Sequence, residues 1–156
     1  MTTWRQLTDE VPEFAASVRE RFESHPHHVL ATLRNDGSPR VSGTEVQFHG
    51  GDITVGSMLG ALKARDLQRD ARCAVHAHPT EASMEGGDVK VTARAVEVTD
   101  ADELDAFREA AGPPPGDFHL FRLALDEVVH TAVADTGDHL LIRLWRPGRG
   151  INEFRR

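Results

Sequence analysis

The sequence predicts a mainly β domain of α+β type, an antiparallel barrel with flanking helices. Three observations carry that expectation. Turn signals at Asp36-Gly37, Gly50-Gly51 and Gly137-Asp138 separate stretches that alternate apolar and polar residues. Helical periodicity is confined to short segments between or before those stretches. The chain has 156 residues, 39% of them hydrophobic, enough for one domain, residues 1–156, with a real core.

Taken in order, residues 8–24 read as a helix. Thr8 or Asp9 can cap it, Pro12 suits its first turn, and Val11, Phe14, Ala15, Val18 and Phe22 form an apolar stripe. Pro26 cannot continue it. Residues 29–34 read as a strand, Asn35-Asp36-Gly37-Ser38 as a hairpin turn, and residues 39–49 as the second strand. After Gly50-Gly51-Asp52 comes a short strand at residues 53–55, which Gly56 ends. A helix starts near Gly60, with Ala61, Leu62, Ala64 and Leu67 at apolar spacing. Residues 72–77 and 88–98 are strands; the second places Val89, Val91, Ala93 and Ala95 on one face. Thr99 or Asp100 caps an acidic-starting helix that runs through Ala111, and Gly112-Pro113-Pro114-Pro115-Gly116 stops it. Residues 118–133 form a strand with a bend near Asp126, and residues 139–145 form the last strand.

Bulk properties exclude several classes of function. A net charge of -7 argues against nucleic-acid binding, which needs a basic face. Cys73 is the single cysteine, which fits a reducing cytoplasm and reads as a small buried residue rather than a nucleophile. The N-terminus has no apolar run, and no stretch approaches membrane-spanning length, so a cytoplasmic protein is expected. His76 and His78 share a strand face, and His25, His27 and His28 cluster nearby in sequence. Without a Cys partner pattern or a His-Glu-x-x-His, no metal centre is expected. No Ser-His-Asp grouping, nucleophile elbow or phosphate-binding Walker loop is present, so no catalytic residue is assigned.

The stretch with chemical content is residues 52–72. Its strand ends in Gly56-Ser57 and feeds a helix bearing Lys63, Arg65, Arg69 and Arg72 against Asp66 and Asp70. Backbone N–H groups, a hydroxyl and the point charge of Lys63 together suit an anion. A solvated basic helix face is the alternative reading.

Three stretches resemble the pyridoxamine 5'-phosphate oxidase-like family of flavin-binding split barrels, which includes deazaflavin-dependent reductases. The first is Gly56-Ser57, then Lys63-Ala64, then Asp70-Ala71-Arg72. Family oxidases usually have Arg before the Lys, where this chain has Leu62, and Pro where it has Ala71. The second is the opening hairpin, Ala31-Thr32-Leu33 followed by Asp36-Gly37 and Pro39-Arg40. The third is the tail, with Trp145 on the last strand and Arg155 a few residues later.

The resemblance implies a six-stranded antiparallel split β-barrel of Greek-key type, paired as a homodimer with the cofactor at the interface. It implies a phosphate held by Ser57, Gly56 and Lys63, with Arg40 on the same anion. Trp145 and Arg155 would reach the flavin, typically that of the partner subunit. The alternative for Arg40 is an exposed hairpin cation, and for Trp145 a core or interface anchor. Glu45 stands where family oxidases carry a substrate-phosphate Lys, and Ile151 where they carry an Arg. Vitamin B6 oxidation is therefore not expected. Two functions remain open. One is an oxidoreductase using FMN, or the deazaflavin coenzyme F-420, on a small non-phosphorylated substrate. The other is a non-enzymatic flavin- or haem-binding storage or sensor protein.

Overall fold

A computed structural model describes residues 1–79 and 81–156. Among them, nine strands form one antiparallel sheet. In chain order these are β1 (His28–Leu33), β2 (Pro39–Thr44), β3 (Val46–His49), β4 (Asp52–Met58), β5 (Arg72–His76), β6 (Asp88–Glu97), β7 (Phe118–Val133), β8 (Leu140–Arg146) and β9 (Gly150–Arg155). The spatial order is β2-β1-β5-β6-β7-β4-β3, with β8 pairing β7 and β9 pairing β8. The two ends of that path, β2 and β3, are separated in the chain by Glu45 alone. The sheet thus curls until its ends are joined by covalent backbone rather than by a ladder of hydrogen bonds. This is the antiparallel, unclosed barrel with flanking helices that the sequence predicts.

Several boundaries differ from the sequence reading, each for a local reason. The helix expected over residues 8–24 is two helices, α1 (Trp4–Glu10) and α2 (Pro12–Glu23). Pro12 disfavours helical angles at the residue before it, and Val11 sits at φ -136, ψ 67. The N-terminal cap is Thr3, in a reciprocal box with Gln6, whereas the Thr8 hydroxyl donates back to the Trp4 carbonyl at 2.9 Å. The expected second strand breaks at Glu45, so that its second half pairs with β4 instead of β1. Gly56 does not end its strand: β4 continues to Met58 because β7 supplies a ladder, with Gly56 opposite Leu120 and Ser57 opposite His119. The tail, to which the sequence reading gives no element, is strand β9, with Arg155 opposite Leu141. The break at Glu45 and the added β9 raise the seven strands read along the sequence to nine, against the six that the resemblance implies for the barrel. The bend near Asp126 is a β-bulge: Thr92 faces Glu127 and Ala93 faces Leu125, leaving Asp126 unpaired.

The core lies between the sheet and the two N-terminal helices. Leu30, Val55, Val75, Val91, Phe121 and Leu125 meet Leu7, Phe14, Val18 and Phe22. A separate small cluster of Val98, Phe107 and Leu120, with Leu104 and Phe118, seats α4 (Ala101–Ala111). Asp100 caps α4 through the Glu103 amide, and Gly112 ends it in the left-handed region at φ 59.

Helix α3 (Leu62–Arg69) is fastened differently. Ala64 and Leu67 pack inward, and between them Asp66 is buried at 2% exposure. Its Oδ2 accepts from Thr32 Oγ1 at 2.8 Å and from Arg40 Nε at 2.7 Å; its Oδ1 accepts from Arg69 Nη2 at 2.9 Å. Arg69 Nη2 also donates to the Leu33 carbonyl at 2.7 Å. Burial alone would raise the Asp66 carboxyl, but the donors from Arg40, Thr32 and Arg69 hold it below 3.8. Its stabilising effect is therefore complete above that value and lost as pH falls through the lower, folded-state value. Asp66→Asn is expected to lose about 3 kcal/mol at neutral pH, because Arg40 and Arg69 then lack their anion. Urea titrations should show the difference from wild type shrinking once the solution is more acidic than the folded carboxyl.

Candidate functional site

A cavity of about 890 Å³ opens between the break in the barrel and the end of α4. Its barrel side is built from backbone-rich segments: Gly43 to Glu45 at the β2–β3 break, and Gly56 with Ser57 at the end of β4. Lys63 closes this side from α3, and His27 adds an imidazole at the edge. The opposite wall is apolar, made by Phe107, Phe118 and the Pro113, Pro114 and Pro115 run, with the Asp117 carboxylate beside them. Polar recognition and flat apolar surface therefore face each other across one space, as ligand sites require.

The polar side has the donors an anion needs. Lys63 is half-buried, and its Nζ donates to the Gly43 carbonyl at 2.9 Å. Burial lowers its pKa from 10.5, against the opposing pull of the Glu45 carboxylate. A cation left short of counter-charge in this way gains from an incoming anion. Lys63 is the second residue of α3, whose N-cap, Ala61, has no capping side chain. The first-turn amides are thus uncapped next to the ammonium. The Ser57 hydroxyl donates to the Met58 carbonyl at 3.2 Å, a local bond readily exchanged for a better acceptor. A Cβ at Gly56 would meet only the His119 carbonyl oxygen, at 3.9 Å, so packing does not demand glycine there.

Of the residues singled out from sequence, Gly56, Ser57, Lys63 and Glu45 come together on this cavity. Arg40 does not line it; its Nε is committed to Asp66, where it fastens α3. Trp145 is wholly buried in the core at 0% exposure, and its indole N–H has no acceptor among the described residues. Arg155 is exposed on β9, away from the cavity wall. The histidines form no group of three with Cys, Asp or Glu that could hold a metal, among the described residues. His25 instead stacks on His78, with ring centroids 3.6 Å apart. Burial pushes the Cys73 thiol up to about 12, which leaves it unreactive.

The apolar wall was not anticipated. Its sequence signal is present in hindsight: a rigid Pro run flanked by Phe107 and Phe118 on elements too short to be a second domain. The docking of α4 on Leu120 brings that run to the cavity.

A family model described as pyridoxamine 5'-phosphate oxidase matches residues 14–132, well over half of the chain. No curated protein matches. Among solved structures, a pyridoxamine 5'-phosphate oxidase-related, FMN-binding protein from Nostoc punctiforme PCC 73102 superposes with a TM-score of 0.65 at 12% identity, covering 94% of this chain and 96% of its own. PhzG from Burkholderia lata 383, solved with tetrahydrophenazine-1-carboxylic acid, gives 0.60 at 16% identity, covering 96% and 91%. HutZ, a haem storage protein from Vibrio cholerae, gives 0.56 at 23% identity, covering 75% and 90%. At these identities the superpositions establish a shared fold.

Proposed function

The chain belongs to the pyridoxamine 5'-phosphate oxidase family, and on that premise we propose that it is an oxidoreductase that binds FMN in this cavity and acts on a small, non-phosphorylated organic substrate. The observation that carries the reading is the half-buried Lys63, short of counter-charge beside an uncapped helix start. Lys63, Ser57 and the Gly56 backbone would hold the phosphate. Phe107 and Phe118 offer the apolar surface a ring system needs. The flavin supplies the redox chemistry, so the chain contributes binding, orientation and exclusion of water.

FMN is favoured over the deazaflavin coenzyme F-420. A single terminal phosphate suits one cation, whereas a long anionic tail would run past Glu45, Asp117 and the C-terminal end of α4. Glu45, on the cavity wall, repels a second phosphate, which argues for a non-phosphorylated substrate. The site is completed by a second copy of the chain. Val29 and Val41, the latter 71% exposed, stand on the outer face of β1 and β2 in line with Gly43 at the cavity edge. Arg155, exposed on β9, would be available to a neighbouring copy. A second reading, haem storage without turnover, is favoured by His27 on the cavity wall. The absorption spectrum after mixing with FMN, F-420 or haem in turn separates these readings, and turnover with an electron acceptor separates enzyme from store.

Removing one charge-assisted hydrogen bond of about 1.5–3 kcal/mol should weaken FMN binding by Lys63→Ala about ten- to a hundredfold in a fluorescence titration. Bound phosphate raises the Lys63 pKa, so binding takes up a proton. Wild-type affinity is thus expected to fall as pH rises through the free-state value, which lies below 10.5, and Lys63→Arg should abolish that fall. With FMN loaded, wild type is expected to show no pyridoxamine phosphate oxidation. Any that arises in Glu45→Lys is the mark of charge exclusion, whereas strong wild-type activity would refute it. Sedimentation at micromolar concentration should give a dimer, and Val41→Glu should shift it to monomer.

A further inference from the structure

The short connection from β4 to α3, Leu59 to Ala61, carries the polar side of the cavity from Ser57 to Lys63. Packing does not hold it. Met58, Leu59 and Leu62 are 82%, 62% and 59% exposed, so no apolar side chain of the segment is anchored in the core. Gly60 adopts the left-handed region, at φ 75, and its neighbour Ala61 donates to the Met58 carbonyl at 3.1 Å. The Ala61 carbonyl accepts from the Arg65 N–H of α3 at 3.1 Å, and the tie to the sheet is the Gly60 N–H, which donates to Nε2 of His119 at 3.1 Å.

His119 is itself aimed. It sits on β7 opposite Ser57, and its Nδ1 lies 3.0 Å from Glu97 Oε2 at the end of β6. The other oxygen of Glu97 accepts from Gln68 Nε2 on α3 at 2.8 Å. One tautomer satisfies both imidazole contacts: Nδ1 carries the proton and donates to the carboxylate, and Nε2 is bare and accepts from Gly60. The carboxylate thus sets which nitrogen faces the loop, as carboxylates do for histidines at metal sites. The result is a circuit, α3 to β6 to β7 to the loop and back into α3, with His119 as the link that touches the loop.

We propose that His119, oriented by Glu97, is the positioning residue of the anion site: by anchoring the Gly60 amide it fixes Ser57 relative to Lys63 and so sets affinity for a phosphate-bearing ligand. The link to affinity rests on the cofactor reading above; the anchoring of the loop does not.

Two substitutions separate the two nitrogens. His119→Gln places an amide oxygen near the Nε2 position and keeps an acceptor for Gly60. His119→Asn places an amide N–H near Nδ1, keeps the bond to Glu97 and abandons Gly60. Amide hydrogen exchange in the ligand-free protein reads the anchor directly. Gly60 is expected to keep its protection in His119→Gln and to lose it in His119→Asn. Equal protection in His119→Asn and wild type would overturn the anchor, whatever the ligand. FMN and riboflavin titrations then read the consequence. FMN affinity should stay within about threefold of wild type in His119→Gln and fall about tenfold in His119→Asn. Riboflavin, which lacks the phosphate, should bind all three alike. A matched fall for riboflavin, or unchanged FMN affinity in His119→Asn, would overturn the positioning role. If wild type binds no FMN, the cofactor reading fails on its own, and inorganic phosphate followed at the Ser57 and Lys63 amides replaces it with the same expected order. Should His119→Asn not fold, Glu97→Ala frees the imidazole to turn and is expected to move both readouts the same way, less far. No change in either readout would then overturn the proposal.

Discussion

The placement of α3, and of Lys63 on it, depends on one buried carboxylate. Asp66 lies under α3 and receives donors from β1, β2 and its own helix. A buried anion is tolerated only when its lone pairs are filled, so the three donors and the acid enforce one another. Their joint effect is geometric. With α3 pinned to the first hairpin, Lys63 is carried to the Gly43 carbonyl at the point where the barrel splits. Arg40 is consumed in this task at its Nε.

The split is equally a consequence of sequence and closure. The sheet path begins and ends on the two halves of what would otherwise be one strand. At that junction neither half has a further neighbour, and Glu45 stands at the break. The backbone there faces a cavity instead of another strand, which is how a barrel of ordinary residues comes to leave carbonyls and amides open to that space. Helix α4, seated on its own small apolar cluster, then supplies the facing wall.

Local chemistry was the legible part. Asn35-Asp36-Gly37 and Gly50-Gly51 state their turns, since few residues tolerate such backbone angles. The apolar alternation in residues 88–98 states a half-buried strand, and the bend at Asp126 proved to be a bulge. The errors share a cause. Pro12 does stand in a first turn, that of α2, but it also bars helical angles at Val11 and so splits the single helix expected there. Gly56 reads as a breaker, but the eight residues of β7 upstream of the bulge include the five that pair with β4 from Thr54 through Met58. The resemblance implies Arg155 only as a cofactor contact, and nothing in it points to the hairpin that β9 forms with β8. At the site, Gly56, Ser57, Lys63 and Glu45 were legible because they lie within one motif and one strand end. His119 was not, since Gly60 and Glu97 are 59 and 22 residues away from it. Trp145 carried two readings in the sequence, and its complete burial accords with an anchor for β8.

The proline wall has a thermodynamic side. Three successive pyrrolidine rings leave little backbone freedom to lose, and the segment is stitched down by Arg108, whose Nη2 donates to the Gly116 carbonyl at 3.0 Å while its guanidinium lies over Phe118. A flexible wall would have to be ordered each time a ligand arrived, at an entropic penalty charged against affinity. Here that ordering is completed once, when the chain folds. The cavity should therefore discriminate by shape from the first encounter, with on-rates limited by access to its mouth and little slow adjustment after docking.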